Sequence, residues 1–301
     1  MNDDQGHFPL RSATDNAILM HRDIHFGGQF SIMLDYYQSN GKGICLDFGI
    51  EDIQRLAELE KKASQDLAPL LLTGPEAEKV AKAKDAYKKL RDLYEDSSLT
   101  NNYPLLIADL ILSEEEEPES EIAAIVKKSG PIVPILMDLL RSTDFFDPLF
   151  PGYGTAPLLA AKCLGRIGDK RAIISLFETI GESDLHHDDI ALKALQLIGA
   201  PAKDFLLRVV RTRPLNFDNE RAAIALIAFK DESDVAAACL TLLIEEEVRA
   251  HSPLATYLAL CCEGLKDPSQ QAQFLSLLED PNLPTALSQD VKTIAKIWTD
   301  N

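Results

Sequence analysis

The stretch AAKCLGRIGDKRAIISL, residues 160–176, reads as the end of one helix, a tight turn and the start of a second helix. Apolar residues fall at helical spacing on both sides of the turn: Ala160, Cys163, Leu164 and Ile167 before it, then Ile173, Leu176, Phe177 and Ile180. Gly168 suits the left-handed residue that closes a helix. The same grammar recurs outward from this stretch. It fills residues 155–181, 188–211, 220–244 and 253–278, with turns at Gly168-Asp169, Gly199-Ala200, Lys230-Asp231 and Lys266-Asp267, so the steps are about 31, 31 and 36 residues. A weaker copy, EIAAIVKKSGPIVPILMDLL, occupies residues 121–140 with its turn at Gly130-Pro131. Pro131 and Pro201 suit the first turn of a following helix, where a missing N–H costs nothing. Alanine is frequent in the first helix of each pair, which lets neighbouring helices approach closely. Each pair carries apolar residues on more than one face. It cannot bury them alone, so stacking against its neighbours is the expected outcome, with Leu195 buried between pairs.

Leu164, Gly165, Ile167, Gly168, Asp169, Arg171, Ala172 and Ile173 resemble the consensus of short HEAT repeats, also called PBS-lyase-like repeats. There an Ala-Leu-Gly-x-Ile-Gly-Asp turn meets an Arg-Ala-[Ile/Val] start to the second helix. One copy matches well; the others keep the apolar frame and lose the Asp or the Arg. The resemblance implies an all-α fold: an α-α superhelix, or HEAT-like solenoid, over residues 119–301, preceded by a helical N-terminal region, 1–118. It also implies that Asp169 and Arg171 tie successive turns together, and that second helices line a concave face. The closing segment PTALSQDVKTIAKIWTDN, from Pro284, reads as a single polar-faced capping helix with Trp298 packed on the last pair.

Within the N-terminal region, residues 50–68 and 75–96 read as amphipathic helices, the second beginning at Pro75 and carrying Tyr87, Leu90 and Tyr94 on one stripe. Residues 103–112 form a short apolar helix, and SEEEEPES, residues 113–120, is a solvated acidic linker or first turn. Residues 1–15 read as disordered. A Gly-Gly break at 27–28 precedes a helix over 29–38, a glycine turn at 39–43 and a short extended piece at 44–48, a segment that lies outside the repeat and suits a cap.

The 301 residues carry a formal net charge of −18. Such acidity disfavours nucleic acid and anionic membranes, and it suits a basic protein partner. No apolar run is long enough for a membrane span, and no secretory signal opens the chain. Five cysteines without CxxC spacing read as buried core residues in a reducing, cytoplasmic setting. His186-His187-Asp188-Asp189 is the nearest approach to a metal site. Di-iron enzymes of the HEAT class, such as deoxyhypusine hydroxylase, use repeated His-Glu dipeptides, and this chain has none. The simpler reading is a helix cap with exposed histidines. HRDIH, residues 21–25, places two histidines one helical turn apart, but Arg22 stands where a zincin needs glutamate. Neither FGGQF nor NGKG has the Gly-Lys-Ser/Thr of a phosphate loop.

These readings leave no catalytic residue, metal or cofactor to name. The leading expectation is a non-enzymatic scaffold or adaptor that binds a protein or peptide along the concave face. The alternative that the resemblance implies is a chromophore lyase or lyase subunit. Arg208, Arg211 and Arg213, near the end of a second helix, are the first choice for a contact patch, although cations there also complement the helix dipole. Glu178, Gln271 and Gln273 are expected to be exposed on the same inner face.

Overall fold

The structure, a computed structural model, describes residues 12–39, 48–72, 74–95, 102–113, 117–182 and 185–300. All regular structure among them is helical. By internal contacts the chain forms two compact units. One comprises Met1–Ile125 with Ser142–Leu159, and the other Val126–Arg141 with Ala160–Asn301.

The first unit contains α1 (Ala13–His25), α2 (Phe30–Gln38), α3 (Ile50–Ala63), α4 (Ala68–Leu71), α5 (Pro75–Glu95) and α6 (Tyr103–Leu112). Helix α1 starts earlier than the sequence reading allowed. Ser12 accepts from the Asp15 N–H while the Asp15 carboxylate reaches back to the Ser12 N–H, a capping box that orders residues 12–15. Residues 1–11 and the turn and extended piece expected over 40–47 lie outside the described residues. Helix α1 packs on α5, α3 and α4, and α2 packs on α3, around Ile18, Leu19, Met33, Ile53 and Leu56. Of the expected aromatic stripe on α5, Tyr94 donates to Asp109 of α6 at 2.6 Å, whereas Tyr87 meets His25 of α1.

Helix α7 (Glu119–Lys128) crosses the boundary between the units. The second unit then contains α8 (Val133–Leu140), the end of α9 (Ala156–Ile167), α10 (Ile173–Thr179), α11 (Leu185–Ile198), α12 (Ala200–Val209), α13 (Phe217–Leu226), α14 (Ser233–Leu243), α15 (Glu246–Ala250), α16 (Ser252–Cys261), α17 (Pro268–Ser276) and α18 (Thr285–Asp300). The turns fall where the sequence put them. Gly168 and Gly199 take φ of +72° and +78° at the ends of α9 and α11, a conformation that costs glycine little.

Two rows emerge in this unit. In one row α8 packs on α10, Phe177 of α10 meets Phe205 of α12 edge-on at 5.3 Å, Lys203 of α12 pairs with Asp234 of α14, and α14 packs on α17. In the other, α9 adjoins α11, Gln196 of α11 donates to the Ala228 carbonyl just after α13, α13 packs on α16, and α16 packs on α18. The α9–α11 approach is close enough that a Cβ at Gly165 would fall 2.6 Å from the Ala194 Cα. Leu195, on α11, is fully buried, as its spacing predicts.

Polar ties join corresponding turns. Asp169 accepts from the Arg171 N–H and guanidinium, and Arg171 Nη2 donates onward to the Gly130 carbonyl at 2.7 Å. The guanidinium holds the Asp169 carboxyl below the usual carboxylate range. Lys230 pairs with Glu263, and Arg249 with Asp280. Arg221 is almost completely buried; it donates to the Ile180 carbonyl and to Glu182 and Asp218, and it stacks over Phe177 and Phe217. Trp298 of α18 lies against Phe274 and donates to the Glu263 carbonyl. Cys163, Cys239, Cys261 and Cys262 are buried in the core as unbridged thiols. A hydrogen bond with Cys239 and burial push the Cys261 thiol up, and burial does the same for Cys262.

Candidate partner-binding groove

Helix α10 turns Leu176 and Phe177 inward and leaves Ile174 and Glu178, four residues apart, facing out. Helix α12 buries Ala202 and Leu206 and presents Pro201, Asp204 and Arg208 outward. Between the two helices runs an open groove of ≈ 670 Å³. Its apolar lining comes from Ile173, Ile174, Phe205 and Leu207, and its charges from Lys170, Arg208, Arg211 and Asp204. Ile174 is 53% exposed and stands beside the partly exposed Phe205 and Leu207, so apolar surface gathers in the groove.

Arg208 and Arg211 thus face the same groove, joined there by Lys170, which the sequence reading did not single out. The other expected contact residues go elsewhere. Arg213 pairs with Glu245 at 2.5 Å, and Glu178 is exposed and pairs with Arg141 at 3.3 Å. Gln273 is exposed on α17. Gln271, expected to be exposed beside it, is half-buried, because its amide donates to the Leu265 carbonyl at 2.8 Å.

Among the described residues no group of three or more His, Cys, Asp or Glu side chains is placed to hold a metal ion. Asp188 lies inside α11 and accepts the Gly181 N–H at 2.8 Å. It ties back the preceding turn; Asp189 also lies inside α11, so neither is the helix cap expected of Asp188 or Asp189, and His187, expected to be exposed, is half-buried.

In HRDIH, helix α1 brings the His21 and His25 rings together, tilted at 59° with ring centres 4.8 Å apart. Tyr37 Oη lies 3.2 Å from His21 Nε2, and Tyr87 Oη 3.3 Å from His25 Nδ1. Burial lowers His21 to about 3, with help from His25, and lowers His25 to about 4. Arg22, between them in sequence, is fully buried. Its guanidinium binds Asp23, Glu60 and Asp66 at 2.5–2.6 Å and lies over the Phe30 ring. A second, polar concavity of ≈ 480 Å³ beside the start of α2 is bordered by Glu60 and Asp66, whose carboxylates Arg22 already occupies.

No described helix is long and apolar enough to cross a membrane. A scan against protein-family models and a search of curated proteins find no match to this chain.

Proposed function

We propose that the C-terminal unit is a HEAT-like α-solenoid and that the protein is a non-enzymatic scaffold binding a protein or peptide partner along its second-helix row. One observation carries this reading. The second helices α8, α10, α12, α14 and α17 adjoin in chain order, and between α10 and α12 the row opens into a groove with exposed apolar side chains. The turn-to-turn ties of Arg171 and Lys230 support it, since each joins one helix pair to another by its turn. A regular row of this kind offers a long, rigid surface on which a few buried anchors can carry the affinity.

A photo-crosslinking residue placed at Ile174, in the groove, tests the proposal in the native cell against one placed at Lys193 on α11 of the other row. A discrete adduct from position 174 and none from position 193 is the expected result. Equal labelling from both positions, or none from either, would count against the groove as the binding surface.

A further inference from the structure

We infer that the α10–α12 groove selects an acidic peptide segment with bulky apolar residues, although the chain as a whole is strongly acidic. The inference rests on the scaffold reading above and adds the chemistry of the partner.

Charge pairing along the row is the first observation. Elsewhere in this unit, cations that reach across to a neighbouring helix or turn find carboxylates: Arg141 takes Glu178, Lys203 takes Glu232 and Asp234, Arg213 takes Glu245, and Arg249 takes Asp280. Carboxylates are in excess, 48 against 30 lysines and arginines. Yet among the described residues Lys170, Arg208 and Arg211 have no side-chain hydrogen bond or ion pair, and all three line one groove. Asp204, the single carboxylate there, is paired with none of them. Three cations against one carboxylate leave the groove locally positive. Long-range repulsion from the rest of the molecule is screened over roughly 8 Å at physiological salt, so the local charge dominates for a ligand seated between the helices.

The apolar lining is the second observation. The α12 dipole explains why arginines sit at that helix's end, but it gives no reason for Ile174 to stand out from α10 opposite Leu207. An extended or helical segment with a Leu- or Phe-sized side chain would cover Ile174 and Leu207. Its flanking carboxylates would then reach Arg208 and Arg211, whose planar guanidinium groups donate to a carboxylate in a two-point geometry. A basic segment would bring like charges together, and a purely apolar one would leave the cations desolvated without partners.

The test is selection of a displayed random 12-residue peptide library on the full-length protein, followed by fluorescence anisotropy with the enriched peptides. Enriched sequences should combine aspartate or glutamate with bulky apolar residues. Their affinity should fall roughly tenfold or more in the Arg208→Glu/Arg211→Glu variant, and similarly in Ile174→Asp. Circular dichroism checks that both variants fold. A synthetic SEEEEPES peptide, matching residues 113–120, supplies charge without apolar anchors and should bind far more weakly than the selected peptides. Neutral or basic enriched peptides that lose binding with Ile174→Asp but not with charge reversal would overturn the acidic class and leave the scaffold reading standing. SEEEEPES binding as tightly as the selected peptides would remove the apolar requirement. Peptides indifferent to both variants, or no enrichment at all, would overturn the inference together with the groove.

Discussion

His21 and His25 show at the residue scale how local sequence and tertiary setting divide the work. Their spacing is visible in HRDIH, but their burial against Tyr37, Phe48, Tyr87 and Tyr153 is not, because those rings come from segments beyond α1. That burial has a consequence for stability. Each histidine titrates near 6.5 when unfolded and at about 3 or 4 when folded, so the unfolded chain binds more protons between those values. The contribution is unaffected above pH 6.5 and turns against the native state as pH falls toward 4. Thermal unfolding of the full chain should therefore hold a steady midpoint above that pH and lose stability below it, before most carboxylates titrate. The His21→Phe variant should show a shallower acid slope. An identical slope in the variant would mean that the pair does not set the acid limit.

Turns that stack are the decisive feature at the element scale. A Cβ at Gly264 would lie 1.7 Å from the Lys230 carbonyl oxygen, so the turn after α16 rests directly on the turn after α13. No rotamer can relieve a backbone collision. Gly264→Ala should cost about 3 kcal/mol or more in chemical denaturation, because the turns must separate. Lys230→Gln, which removes only the half-exposed ion pair to Glu263, should cost less than about 1 kcal/mol. Comparable losses in the two variants would show that the charge pair, and not backbone contact, holds the turns. Helix positions were legible in the sequence because their causes are local: Gly168 and Gly199 closing helices, Pro201 opening one, and apolar spacing that buried Leu195. The capping box at Ser12 and Asp15 was equally local, and it was missed where the flanking composition looked disordered. The groove was legible only in part. Arg208 and Arg211 stood out by position, whereas Lys170 and the exposure of Ile174 depend on the spacing between α10 and α12. The partners of Arg213, Gln271 and Asp188 depend on neighbouring turns in the same way.

At the scale of the whole molecule, the proposal depends on helix pairs continuing in one direction, so that the second-helix row forms a usable surface and does not close on itself. Electron spin–spin distances between labels on exposed positions of that row test this most directly. Cysteines introduced singly at Arg208, Thr241 and Gln273, each paired with Glu178→Cys in a Cys45→Ser background, report from α12, α14 and α17. Cys163, Cys239, Cys261 and Cys262 are buried and should stay unlabelled. The three distances from position 178 should rise in chain order, by roughly 8–10 Å for each helix passed. A distance to position 273 no longer than that to position 208 would contradict it.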